Sequence, residues 1–179
     1  MQTYIALLRG INVGGNNVLP MKSLVSLLEE DGCQCVKTYI QSGNVVFKAE
    51  TIDANKISEM INMKFGFLPK VLLFNFSELQ VALSECPYLT VGGEVSEGKT
   101  VHFYFCDSEP KLNLEQSEKI SSLCSESEQY TLNGSVFYLY APNGIGRSKL
   151  AAKVEPYLGV GVTARNLNTV RKLLTMQLS

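Results

Sequence analysis

Segments typical of strands and helices follow one another in a fixed order, and this order constrains the fold more than any other feature of the chain. Strand-like runs occupy residues 3–9, 33–41, 45–48 and 70–76. Amphipathic helices are predicted between them, at residues 21–30 and after a cap at Thr51 or Asp53. Ser42-Gly43-Asn44 predicts a tight turn between the second and third strands. The order strand, helix, strand, strand, helix, strand is that of the ferredoxin-like plait.

The pattern then begins again in the second half of the chain, without residue identity to the first half. The predicted elements are a strand at 99–106, a helix at 112–125, a hairpin around Asn133-Gly134, a helix at 148–157, an extended piece at 160–162 and a helix at 169–178. We therefore expect an α+β protein of two ferredoxin-like (plait-type) subdomains, with largely antiparallel sheets and helices packed on one face. Residues 1–85 would form the first subdomain, 86–98 an exposed linker and 99–179 the second.

Composition narrows the class of protein. The 179 residues are 45% hydrophobic and 18% charged, which is typical of a globular protein. No apolar run is long enough to cross a membrane, and residues 1–5 do not resemble a signal peptide, so we expect a cytoplasmic location. Five cysteines without regular spacing predict reduced thiols, with Cys33 and Cys35 on one buried strand face. A single histidine argues against a metal centre, and we predict none.

Charge is distributed unevenly along the chain. Residues 143–179 contain six Lys and Arg against one Glu, a local net charge of +5 in a chain of net charge −1. The net charge of the whole chain argues against a protein that coats nucleic acid without sequence preference. The excess of positive charge in residues 143–179 has three possible explanations. It could form a binding face, it could form a self-complementary dimer surface, or it could have no function.

Three of the four arginines lie in short Gly- or Asn-rich motifs that contain no acidic residue. Arg9 lies in R-G-I-N-V-G-G-N-N, Arg147 in G-I-G-R-S-K and Arg165 in T-A-R-N-L-N-T. Flexible backbone amides beside a guanidinium suit a phosphate or a carboxylate. The motifs therefore predict an anionic ligand.

The Arg9 motif follows a strand and precedes a helix, as a phosphate-binding loop does. However, Asn16-Asn17 stands where a nucleotide hydrolase needs Lys-Ser or Lys-Thr, so that class is excluded. Two readings stay open. Gly14 and Gly15 could expose a nest of amides to an anion, or they could only form turns while Asn12 bonds to the loop backbone.

The remaining candidate ligand-binding residues occupy turns and helix starts. Ser42 and Asn44 lie in the hairpin turn, which the predicted topology brings close to the Arg9 loop. Ser148 is a good N-cap, so Arg147 would precede the positive end of a helix. Asn166 or Asn168 would cap the last helix.

The sequence does not identify a reaction. No serine has an obvious histidine partner, because His102 lies within a predicted strand, and no carboxylate pair suits acid–base catalysis. Alternation places Val101, Phe103 and Phe105 on one face of that strand and His102, Tyr104 and Cys106 on the other. Such tyrosine-bearing faces are better explained by packing between layers or across a dimer than by a surface on which RNA bases stack.

Several specific strings together resemble one known family. They are Ala6 to Gly15, Met21 and Leu24, Thr38 to Val45, Gly144 to Leu150, Thr163 to Asn166, and Asn168-Thr169. In these strings the chain is similar to the bacterial domain-of-unknown-function family 1697 (DUF1697). The resemblance implies a small cytoplasmic protein of two plait-like halves, and it implies no established activity or cofactor. Two departures stand out: Leu167 replaces a usual Trp, and Asn16-Asn17 replaces a frequent basic residue.

These observations lead to one principal hypothesis and two alternatives. The principal one is a site for a phosphate- or carboxylate-bearing small molecule, with nucleotides among the candidates. Its predicted ligand-binding residues are Arg9, Asn12, Gly14, Gly15, Ser42, Asn44, Arg147, Ser148, Arg165 and Asn166. The alternatives are an RNA-binding module that uses the basic residues, and a homo-oligomeric interaction protein without catalysis.

Overall fold

The computed structural model describes residues 1–176, which form two compact α+β units. The first unit comprises residues 1–81 with 171–176, and the second comprises residues 82–170. The prediction of an α+β fold with antiparallel sheets is confirmed. The predicted linker at 86–98 and the predicted bounds of the two subdomains stay predictions. No helix among the described residues is long and apolar enough to span a membrane.

The first unit contains one four-stranded sheet with strand order β2-β3-β1-β4, in which all neighbours are antiparallel. Its elements are β1 (Gln2–Arg9), α1 (Met21–Glu30), β2 (Gln34–Tyr39), β3 (Asn44–Ala49), α2 (Ala54–Phe65) and β4 (Lys70–Asn75). The side chain of Asp53 accepts a hydrogen bond from the N–H of Lys56 at 2.8 Å, which identifies Asp53 as the cap of α2.

Helices α1 and α2 pack on one face of this sheet, as predicted. The buried residues that join the layers are Ala6, Leu8, Val45 and Phe47 from the strands and Leu24, Leu28, Ile57 and Ile61 from the helices. Burial of this apolar surface is the principal stabilising contribution to the unit.

Strand β2 corrects the prediction for the two cysteines. The pairing register of β2 with β3 shifts between Gln34 and Lys37, and Cys35 within the bulge has φ +53°. One extra residue in a bulge interrupts the alternation of side chains between the two faces. Cys33 is therefore buried while Cys35 is exposed, so the prediction that they share a core face is wrong.

Residues 76–100 connect the two sheets along the chain. They comprise α3 (Phe76–Ser84) and a small hairpin of β5 (Thr90–Val91) and β6 (Glu94–Val95). The sequence predicted an exposed loop over 91–98, and its two central glycines here form the tip of the hairpin.

The second unit contains a sheet with strand order β10-β7-β9-β8, again antiparallel throughout. Its elements are β7 (Val101–Cys106), α4 (Leu114–Leu123), β8 (Gln129–Asn133), β9 (Val136–Tyr140), a 3-10 helix (Ile145–Arg147), α5 (Lys149–Leu158), β10 (Val162–Asn166) and the start of α6 (Leu167–Thr175). The order of elements and strands repeats that of the first unit. Residues 177 and 178 of the predicted last helix lie outside the described residues.

The two faces of β7 have different neighbours, as the alternation predicts. Tyr104 and Cys106 belong to a core that includes residues of α4 and α5. Phe103 lies on the opposite face, where its ring meets Tyr138 edge-on at 5.2 Å. Because α4 and α5 cover the same face, the end of α4 and the start of α5 can contribute to one site.

Candidate functional site

The ten predicted ligand-binding residues divide between the two units. Six belong to the first unit: Arg9, Asn12, Gly14, Gly15, Ser42 and Asn44. Four belong to the second: Arg147, Ser148, Arg165 and Asn166. Convergence of all three arginines on one ligand stays a prediction.

In the first unit, Gly14 and Gly15 form the tip of a tight turn. Their φ angles are +56° and +76°, and the N–H of Asn16 donates to the carbonyl of Val13 at 2.9 Å. Two consecutive positive φ angles define a type I′ turn, in which glycine is favoured. The turn accounts for both glycines without a ligand.

Asn12 joins this loop to the β2–β3 turn. Its Nδ2 donates to the carbonyls of Leu19 and Gln41, both at 2.9 Å, and its Oδ1 accepts from the N–H of Leu19 at 2.8 Å. The N–H of Leu8 also donates to the carbonyl of Gly43 at 2.8 Å. The prediction that the hairpin turn lies beside the Arg9 loop is confirmed.

Asn44 is fully buried where β3 begins. Its Nδ2 donates to the carbonyl of Tyr39 at 3.0 Å and to Oγ of Ser42 at 2.9 Å. Both amide hydrogens of Asn44 are therefore used within the turn, as those of Asn12 are used within the loop. A direct role for either amide in ligand binding stays a prediction.

Arg9 ends β1 directly opposite Lys70 on β4. Residues directly opposite in an antiparallel pair project from the same face of a sheet. Two cationic side chains therefore leave the same face here, the one opposite α1 and α2, since Leu8 rather than Arg9 packs against the helices.

In the second unit, Arg165 and Asn166 end strand β10. Burial lowers the pKa of Arg165 to about 10, and its guanidinium donates to the carbonyl of Ala164 at 2.8 Å. The side-chain oxygen of Asn166 accepts from the N–H of Thr169 at 2.9 Å. Asn166 thus stabilises the start of α6, as one reading of the sequence predicted.

Arg147 and Ser148 lie at the start of α5. The Ser148 side chain accepts from the N–H of Ala151 at 3.0 Å, so the predicted cap is confirmed. Arg147 ends the preceding 3-10 helix, and Lys149 is the first residue of α5. A positive helix terminus and two cationic side chains therefore occur within three residues.

Both cations line a cavity of about 250 Å³, which we call the α4–α5 cavity. Its other lining residues come from the end of α4 and the following turn: Ser122, Leu123, Cys124, Ser125 and Glu128. Among residues 1–176, neither Arg147 nor Lys149 forms a salt bridge or a side-chain hydrogen bond. Both charges are available to a ligand.

The sequence did not single out Lys149 or the residues after α4 as site residues. Burial, then the nearby Glu128 carboxylate, raises the pKa of the Cys124 thiol. The same two causes raise the pKa of Tyr104 to about 12. Both groups are therefore neutral at pH 7, which argues against a thiolate nucleophile in this cavity.

A cavity of about 300 Å³ in the first unit provides a contrast. It is lined by Lys56 and Asp31 among others, and the Lys56 ammonium lies 2.6 Å from the Asp31 carboxylate. That cation already has an anionic partner, so this cavity is a weaker candidate for an anion.

Two other functional classes receive no support from the geometry. Tyr104 and Tyr138 are buried, 7% and 0% exposed, so they do not offer an open stacking surface to RNA bases. No group of three or more His, Cys, Asp or Glu side chains that could hold a metal ion occurs in the described part of the chain.

Comparison with known proteins identifies the family. The family model described as "Protein of unknown function (DUF1697)" matches residues 1–138, a range that contains the Arg9 motif but not those of Arg147 and Arg165. A conserved bacterial protein from Streptococcus pneumoniae shares the fold, with a TM-score of 0.69, 24% identity and 98% of each chain covered. No protein of curated function matches significantly. The chain belongs to the DUF1697 family of proteins of unknown function.

Proposed function

We propose that this protein binds a small phosphate- or carboxylate-bearing metabolite in the α4–α5 cavity. One observation carries the proposal: Arg147 and Lys149 line the same cavity, and neither has a partner among the described residues. A guanidinium presents a planar fork to an oxyanion, while an ammonium acts as a compact point charge.

The start of α5 adds to this attraction. The first amides of a helix have no intrahelical acceptor, and the helix dipole places partial positive charge there. Ser148 bonds one of these amides and fixes the start of the helix. An anion in the cavity would meet two side-chain charges and an ordered helix terminus together.

The size of the cavity limits the ligand. At about 250 Å³ it lies below the range of roughly 300–1,000 Å³ that is usual for larger ligands. The volume favours a compact metabolite over the nucleotide that the sequence also allowed.

The strand order supports a finer assignment of the fold as well. An antiparallel sheet in the order β2-β3-β1-β4, built from a βαββαβ chain, supports placing the first unit among ferredoxin-like plaits. The second unit repeats the order and supports the same assignment.

A thermal-shift titration with inorganic phosphate and ethyl phosphate tests the proposed function. At 100 times its Kd, a ligand stabilises the native state by about 2.7 kcal/mol. We expect Arg147→Ala and Lys149→Ala to weaken this stabilisation. Lys153→Ala is the matched control, because Lys153 is an exposed lysine of the same helix that does not line the cavity.

Two results would contradict the proposal. One is the absence of stabilisation by either phosphate, and the other is stabilisation that both cavity variants retain in full. Arg9→Ala in the same titration tests whether the first loop contributes to the same site, as the sequence hypothesis requires.

A further inference from the structure

The α4–α5 cavity is also lined by an acidic residue that is largely buried. Glu128 is 9% exposed and lines the cavity beside the two cations. One of its oxygens accepts from the N–H of Ser125 at 3.0 Å, and its own N–H donates to the carbonyl of Ser125 at 3.1 Å. These reciprocal bonds close a turn and fix the position of the carboxylate.

The second carboxylate oxygen, Oε1, has no hydrogen-bond partner among residues 1–176. Neither Arg147 nor Lys149 comes within the 4.0 Å of an ion pair with Glu128. Ser96 Oγ is the one side-chain oxygen or nitrogen among residues 1–176 that is both buried and without a partner, so Oε1 of Glu128 is open to the cavity and a ligand can reach it. The cavity thus holds positive and negative groups that are kept apart.

The neutral neighbours of Glu128 cannot act as its cationic partner. Cys124 and Tyr104 carry no positive charge in any protonation state. A purely anionic ligand would be attracted by the two cations and repelled by Glu128. A ligand with a cationic group beside its anionic group would meet complementary charge on both sides.

We propose that the ligand is a small zwitterion, with a phosphate or carboxylate held by Arg147 and Lys149 and an ammonium held by Glu128. This inference rests on the proposed function, because it assigns a second contact to the ligand of the same cavity. Amino acids and amino-alcohol phosphates have this chemistry and a compact size.

Calorimetric titration with phosphoethanolamine and ethyl phosphate tests the inference, since the two probes share a phosphate monoester and only the first carries an ammonium. We expect the wild-type protein to bind phosphoethanolamine about tenfold more tightly or better, because hydrogen bonds to charged groups contribute about that much. Glu128→Gln should abolish the preference. Glutamine retains a side-chain oxygen that can accept from Ser125, so the turn can persist.

The outcomes separate the two proposals. Equal binding of both probes by the wild-type protein would overturn the zwitterion inference and leave the anion site in place. A preference that survives Glu128→Gln would overturn the role of Glu128. Failure of both probes to bind, or binding that Arg147→Ala and Lys149→Ala leave unchanged, would overturn the proposed function as well.

Discussion

Gly43, in the β2–β3 turn, packs closely against β1 and the loop that follows it. An added Cβ would lie 2.7 Å from Cβ of Leu8, 2.9 Å from Cδ1 of Ile11 and 3.3 Å from the carbonyl oxygen of Leu8. The φ angle is +86°, a left-handed conformation that side chains disfavour. Cβ of Leu8 is fixed to the backbone of β1, so it cannot rotate away.

We expect Gly43→Ala to destabilise the protein by about 2–5 kcal/mol. The left-handed conformation accounts for about 1–2 kcal/mol of this, and overpacking against Leu8 and Ile11 for about 1–3 kcal/mol. The 2.8 Å hydrogen bond from Leu8 to the Gly43 carbonyl would also be strained. The loss is large beside a typical free energy of unfolding of about 5–15 kcal/mol.

Gly10→Ala is the matched control for this variant. Gly10 has a φ of +79°, close to that of Gly43, but no atom lies within 4 Å of its added Cβ. Only the conformational cost of about 1–2 kcal/mol should therefore appear. Urea unfolding followed by circular dichroism measures both variants. If Gly43→Ala lost no more stability than Gly10→Ala, the close approach of turn and loop would be refuted.

Three further predictions concern individual polar groups. Tyr138→Phe should cost about 1–3 kcal/mol in urea unfolding, because the buried Tyr138 hydroxyl donates to the carbonyl of Ala82 at 2.7 Å; an equal loss in Tyr140→Phe would contradict this. Burial lowers the pKa of His102 in the folded protein below the usual value of about 6.5. As pH falls below about 6.5, the unfolded chain binds a proton at this residue before the folded protein does, so the folded protein loses stability. His102→Gln should reduce the stability difference between pH 7.5 and pH 5.5, and an unchanged difference would refute the assignment. Asn12→Ala should cost about 2–4 kcal/mol by removing three hydrogen bonds, and a loss under about 0.5 kcal/mol would show that water replaces them.

Features that are determined by residues adjacent in the sequence could be predicted from the sequence. The bounds of α1 agree with its predicted range, because Pro20 and the periodic leucines define them locally. The Ser148 cap is likewise confirmed, since a cap needs only a short polar side chain and the amides of the next turn.

Features that depend on tertiary pairing were missed. The bulge at Cys35 is specified by pairing with β3, and alternation alone cannot reveal it. Strand β10 extends to Asn166, well beyond the predicted extended piece, because pairing with β7 continues that far. Arg165 therefore lies in a strand where a loop was expected.

The candidate site could also be predicted only in part, because its residues are distant in the sequence. The sequence identified Arg147 from its motif, but Glu128 and Lys149 gained significance only from the cavity that they share with it. Glu128 lies in a segment rich in Ser and Glu that reads as an exposed turn, and nothing local predicts its burial.

Backbone amide NMR during titration with phosphoethanolamine tests the central claim most directly. Binding in the α4–α5 cavity predicts saturable shifts at the amides of Lys149 and Leu150, at the start of α5, and of Ser125, which bonds the Glu128 carboxylate. At equal ligand concentration the same shifts should be smaller in Arg147→Ala. Saturable shifts confined to residues away from this cavity, or no saturable shift at all, would contradict the account.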